Sequence, residues 1–156
     1  MSKITVGSEV PDFEIPSTAN KSFKLSQFKG QNIVLYFYPK DDTPGCTREG
    51  QAFRDLSEEF EQANTLIFGI SKDSIQSHEI FRNQQHFPFD LLSDENEVIC
   101  QLFDVIKPKK IFGKDTKGIE RSTFLIDKNG VLHKEWRQVK VEDHVIEVLD
   151  IAKALD

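Results

Sequence analysis

A chain of 156 residues, 38% hydrophobic and 29% charged, has the size and balance of one globular domain spanning residues 1–156, with no room for a second full-sized one. Its net charge of −6 opposes nucleic-acid backbones and anionic membrane surfaces, which repel an acidic protein at long range. Two Cys cannot build a secreted disulfide framework, residues 1–10 hold no signal-peptide apolar run, and no stretch is apolar for long enough to cross a bilayer, so a reducing cytoplasm is expected.

The residues up to Gly30 mix short alternating segments (Phe13, Ile15; Phe23, Leu25) with turn formers, which predicts a small β-rich approach. Residues 33–38 form a continuous apolar run ended by Pro39, the pattern of a strand buried on both faces. After a polar loop, a helix is expected from Cys46 or Thr47, with Phe53, Leu56 and Phe60 on one face beside Ala52 and Ala63. Residues 65–71 read as a second buried strand, and Asp73 or Ser74 is placed to cap the next helix. Leu91-Leu92 predicts a short third strand. Residues 97–103 predict a short helix whose apolar face is Val98, Ile99, Leu102 and Phe103. The basic, turn-rich segment 106–118, which contains Lys107-Pro108-Lys109-Lys110, reads as a solvated surface loop rather than an anion-binding patch. Residues 122–127 and 131–139 form two strands about Lys128-Asn129-Gly130, where the Asn-Gly step signals a hairpin. A last helix carries Val145, Val148, Leu149, Ala152 and Leu155 on one stripe. This alternation predicts an α/β fold, a thioredoxin-like central mixed sheet flanked by helices, because the closing hairpin must be antiparallel. The 13 Phe are most economically read as core.

Chemistry concentrates where the first long strand gives way to its helix, at Tyr38-Pro39-Lys40-Asp41-Asp42-Thr43-Pro44-Gly45-Cys46-Thr47-Arg48-Glu49. A Cys at a helix start meets unpaired N–H groups and the positive end of the helix dipole, both of which favour thiolate over thiol. Such a sulfur is a competent nucleophile. To reduce a peroxide it also needs groups that orient the O–O bond and stabilise charge on the departing oxygen. Thr43 can supply a hydroxyl and Arg121, at the start of its strand, a cation.

The spacing Pro39-x-x-x-Thr43-x-x-Cys46 resembles the active-site signature of peroxiredoxins, and the string from Tyr38 to Thr47 is similar to their bacterioferritin comigratory protein, or peroxiredoxin Q, branch. Gly7-x-x-Val10-Pro11-Asp12-Phe13, Leu91-Leu92-Ser93-Asp94 and Gly118-Ile119-x-Arg121-Ser122-Thr123-Phe124-Leu125-Ile126-Asp127 extend the resemblance across nearly the whole chain. It implies a thiol peroxidase that reduces hydrogen peroxide and organic hydroperoxides. Cys46 would be the peroxidatic cysteine, Thr43 and Arg121 its activating partners, Pro39 a shield over the pocket, and Glu49 a support that orients Arg121. It further implies a monomer with no metal or organic cofactor, recycled by thioredoxin or a similar thiol donor.

The chain departs from that branch at the two positions where members carry a resolving cysteine, here Gln51 and Arg82. Cys100 is then the only other thiol. It reads either as a buried helix residue or as an unusual resolver, and the second requires its Cα to come within about 7 Å of that of Cys46. Burial leaves a one-cysteine mechanism. Two other functions fit the same fold. A thiol–disulfide oxidoreductase lacks the Cys-x-x-Cys it would need, and a non-enzymatic holdase would use an apolar surface. His78, His86, His133 and His144 show no metal-ligand spacing and read as surface or helix-end residues, and Asp41-Asp42 as solvated carboxylates.

Overall fold

A computed structural model describes residues 4–155. The chain begins with a short antiparallel pair, β1 (Glu14–Ser17) and β2 (Lys21–Lys24), followed by a 3-10 turn at Leu25–Phe28. Next come β3 (Asn32–Phe37), α1 (Pro44–Asp55), α2 (Ser57–Gln62), β4 (Thr65–Ser71), α3 (Ile75–Gln85), β5 (Leu91–Ser93) and α4 (Val98–Leu102). A hairpin of β6 (Ile106–Ile111) and β7 (Lys114–Ile119) precedes β8 (Ser122–Ile126), β9 (Leu132–Trp136) and α5 (His144–Lys153). Seven strands form one sheet in the order β2-β1-β5-β4-β3-β8-β9. Its centre is parallel (β5, β4, β3) and its β3–β8–β9 side antiparallel, so the expected α/β mixed sheet is present.

The apolar run predicted as a doubly buried strand is β3, the middle of that sheet. Ile33, Leu35 and Phe37 point into one core layer, with Phe68, Phe103, Phe124 and Cys100. Val34, Tyr36 and Tyr38 point into the other, with Cys46, Phe53, Phe60, Phe81 and Val148. Each such buried side chain stabilises the fold by roughly 1.5–3 kcal/mol. The two cysteines therefore belong to opposite faces of the sheet.

Several local expectations need correction. Residues 106–119 are not a loop but the β6–β7 hairpin, closed by a two-residue turn in which Phe112 (φ 53) and Gly113 (φ 78) both have positive φ. That is the turn geometry whose twist matches two antiparallel strands. Pro108 is tolerated because a two-stranded ribbon has free outer edges. The helix expected from Cys46 starts at Pro44, and it breaks at Leu56 (φ −106, ψ 8) into α1 and α2. Val98 lies outside the apolar face of α4, at 64% exposure. The strand expected to run to residue 139 stops at Trp136. Ser74, by contrast, caps α3 as expected, accepting from the Ser77 N–H at 3.1 Å.

Candidate active site

From the end of β3 the chain passes through half-buried Pro39 into a tight loop that delivers Thr43 as the N-cap of α1. Thr43 is extended (φ −95, ψ 154) and Pro44 follows at the helix start, where a residue without an N–H and with φ already set is best accommodated. Cys46 thus lies in the first turn, beside N–H groups that have no partner inside the helix and at the positive pole of its dipole. Its side chain is nearly enclosed, at 2% exposure.

Arg121, immediately before β8, is brought against it by the β3–β8 pairing. The guanidinium Nη2 donates to Cys46 Sγ at 3.4 Å, and Nη1 donates to Glu49 Oε1 at 2.7 Å. Gly45 leaves room for the approach, since a Cβ there would stand 3.2 Å from Nη2 and crowd it. Glu49, one turn along α1, is fully buried, and its other oxygen, Oε2, has no hydrogen-bond partner among the described residues. Burial raises the Glu49 carboxyl to about 7 against the downward pull of Arg121. Because this folded value lies above the ordinary 4.5, the group favours the fold fully below about pH 4.5 and loses that contribution as pH rises towards 7. Burial works against the charge on Arg121 too, but Glu49 and Cys46 outweigh it and raise its pKa.

Of the sequence candidates, the structure brings Cys46, Arg121 and Glu49 into direct contact. Thr43 stands at the head of the helix, but its hydroxyl donates to the Lys40 carbonyl at 2.8 Å. With that hydrogen engaged, the hydroxyl has acceptor lone pairs left rather than a free donor. Pro39 is half-buried two residues past the end of β3. Cys100 is fully buried in α4 on the far face of the sheet, its backbone N–H donating to Asp94 at 2.7 Å. Burial and the neighbouring Asp94 carboxylate push its thiol pKa strongly upward.

Sequence reasoning missed the groups that hold the Cys46 loop. Asp41 is buried rather than solvated as expected, and His78, near a helix end as one of its two expected placements had it, is fully buried. His78 Nε2 lies 2.8 Å from the Leu92 carbonyl, which can only accept, so its hydrogen is used there. His78 Nδ1 then faces Asp41 Oδ2 at 2.7 Å, and one further proton must lie between them. Asp41 also accepts from Tyr38 Oη at 2.6 Å and Ser77 Oγ at 2.7 Å, so its buried carboxyl group is the hub of the cluster. The Asp41 backbone N–H donates to Asp73 at 2.8 Å, completing a clamp between the loop, α3 and β5. Asp41, Asp73 and His78 are near enough together to hold a cation, but these hydrogen bonds occupy the same lone pairs. His78→Ala is expected to lower stability by about 3–5 kcal/mol, because it strands a buried carboxylate. Urea titration checks this, and a loss below about 1 kcal/mol would show that the pair carries no charge worth neutralising. The clue available beforehand was spacing: Ser74-x-x-Ser77-His78 puts both side chains on the first turn of a capped helix.

The other histidines fall outside this cluster. His144 is buried at the start of α5, 2.8 Å from Thr123 Oγ1, and burial lowers its pKa to about 4. His86 ends α3 in the left-handed region, and His133 is exposed on β9.

Residues 6–135 match the AhpC/TSA family. The chain is 51% identical over 150 residues to peroxiredoxin Bcp of Bacillus subtilis, covering 96% of each. It is 46% identical over 146 residues to putative peroxiredoxin bcp of Coxiella burnetii, covering 94% of this chain and 97% of that one. Among solved structures, peroxiredoxin Q of Xanthomonas campestris superposes with a TM-score of 0.88 at 45% identity, covering 92% of this chain and 90% of that one. A cysteine-to-serine variant of PrxQ from Xylella fastidiosa gives 0.92 at 41% identity, covering 99% and 98%.

Proposed function

The chain belongs to the AhpC/TSA family, as a peroxiredoxin of the Bcp and peroxiredoxin Q kind, and on that premise we propose that Cys46 is its peroxidatic sulfur and that it works by a one-cysteine cycle. The protein is a thiol-dependent peroxidase, acting on hydroperoxides with a thiol as reductant. The observation that carries the assignment of the sulfur is the Arg121 guanidinium, which donates to Cys46 Sγ while anchored on Glu49.

The Cys46 thiolate attacks the nearer oxygen of the substrate. An S–O bond forms, the O–O bond breaks, and the electron pair leaves on the outer oxygen, which takes up a proton and departs as alcohol or water. Sulfur is oxidised by two electrons to sulfenic acid. Arg121, fixed beside the sulfur, stabilises first the thiolate and then the charge moving onto the departing oxygen, without reorganising. The Thr43 lone pairs accept from the hydroperoxide O–H and so orient it, and Pro39 shields the sulfur from bulk water.

The sulfenic acid then meets an external thiol. A mixed disulfide forms with release of water, and a second thiol releases the Cys46 thiolate and leaves as disulfide. Thioredoxin, a dithiol protein, supplies both sulfurs. The placement of Cys100 supports the external route: an internal disulfide would require two helices on opposite faces of the sheet to leave their layers.

Mass spectrometry after one equivalent of hydrogen peroxide tests the cycle. The expected product is a single added oxygen on Cys46, or a mixed disulfide there when a thiol is present, with Cys100 untouched. A Cys46–Cys100 crosslink would replace the one-cysteine cycle by an internal one. Unmodified Cys46 would remove the assignment altogether.

A further inference from the structure

The β6–β7 hairpin is the one element among the described residues that pairs with no other strand. It carries Lys107, Lys109, Lys110, Lys114 and Lys117 against the single acid Asp115, in a chain whose net charge is −6. At its tip Phe112 is 100% exposed, the only Phe among 13 to be so. Lys107 at its base pairs with Asp104 at 3.1 Å, but Lys110, Lys114, Lys117 and the bare aromatic ring at the tip are left exposed by this fold.

The hairpin is tied to the active site at its base. Ile119 is buried at 1% exposure, and Glu120 leads directly to Arg121. Lys109 lies along the ribbon over Gly118, where a Cβ would stand 3.1–3.2 Å from its Cδ, Cε and Nζ. Its ammonium is thereby directed away from the tip, towards the site. Burial and the Arg121 guanidinium lower the pKa of Lys109 while the Cys46 charge works the other way, as expected for a cation within electrostatic reach of both. The faces divide by register. Lys109 and Lys114 lie on one side with Thr116 and Gly118, and Lys110 and Lys117 on the other with Asp115. Positive potential thus runs from Arg121 out along about 20 Å of ribbon.

We propose that this hairpin is the docking arm for the protein reductant of Cys46, a dithiol protein with an acidic face around its reactive sulfur. The proposal rests on the peroxidase reading and names the partner of the same site. The acidic rim closes around the ribbon, pairing with Lys110 and Lys117 on one face and with Lys114 next to the tip on the other, all exposed, and an apolar spot receives Phe112. The charge steers encounter, and the ring supplies a buried anchor once docked. A small thiol reaches the sulfenic acid without this surface.

The test compares two reductants on intact protein: an acidic bacterial thioredoxin recycled by its reductase, and dithiothreitol. Phe112→Ser and the triple change Lys110→Glu, Lys114→Glu, Lys117→Glu alter only exposed side chains. Each is expected to lower kcat/KM for thioredoxin by about tenfold or more. The triple change should also reverse the sign of its dependence on ionic strength, while turnover with dithiothreitol stays within about twofold. Unchanged thioredoxin kinetics in both variants would overturn the proposal. So would a parallel fall with dithiothreitol, which would place the effect in the chemistry, or a wild-type protein served by dithiothreitol and not by thioredoxin. Absence of turnover with either reductant in the wild type would instead defeat the peroxidase reading beneath it.

Discussion

Cys46→Ser is expected to reduce peroxide consumption by roughly three orders of magnitude or more while leaving the protein folded. A serine hydroxyl holds its proton at any pH the fold tolerates, and oxygen cannot accept an oxygen atom as sulfur does. Nothing else at the site can replace it, since Thr43 has its hydrogen engaged with Lys40 and Cys100 lies across the sheet. The structural effect should be small. Serine is close to cysteine in volume, and its hydroxyl can accept from the same Arg121 nitrogen that now donates to sulfur. Stopped-flow mixing with hydrogen peroxide, alongside near-ultraviolet circular dichroism, separates the two effects. Turnover retained in a folded serine variant would eliminate Cys46 as the reacting atom.

Arg121→Met should produce the second-largest effect, a fall of about 10²–10³ in the rate constant for Cys46 oxidation. Methionine keeps much of the volume but removes both donated hydrogen bonds and the charge. The Cys46 sulfur loses the hydrogen bond that Arg121 donates to it. Glu49 loses its one hydrogen bond while still fully buried, so its carboxyl should rise further above about 7 and remain protonated at neutral pH. That protonation relieves the stranded charge, which predicts a larger loss in activity than in stability. Arg121→Lys restores charge but not the planar fork that reaches Cys46 and Glu49 together, and should recover only part of the rate. Near-wild-type oxidation in the methionine variant would show that the cation is structural alone.

Both effects depend on a loop held from beneath. Asp41 is joined to Tyr38, Ser77, His78 and Asp73, and two residues further on Thr43 opens the helix that carries the sulfur. Asp42 between them takes a left-handed backbone (φ 60), a conformation an L residue adopts when its neighbours are fixed. The buried network therefore bears on the position of the first turn of α1 as well as on stability. The β6–β7 ribbon stands in contrast, with no sheet partner and its tip in solvent.

The residues proposed to carry the chemistry are legible in the chain because they obey local rules. An apolar run ending at Pro39, a Pro-Gly step and a Cys at the next helix start mark a strand end and a helix pole whatever else the protein does. The doubly buried strand, the Ser74 cap and the closing helix were legible for the same reason, since hydrophobic period and capping act within a few residues. Other features depended on distant partners. Asp41 and His78 did not read as buried because each, taken alone, is costly to bury, and only folding sets them 2.7 Å apart. The commitment of the Thr43 hydroxyl to Lys40 was hidden in backbone geometry, and the hairpin at 106–119 in a Phe-Gly turn that lacks the usual polar signature. Where Cys100 lies relative to Cys46 was beyond any spacing rule, because only tertiary packing assigns the two sulfurs to core layers on opposite sides of the sheet.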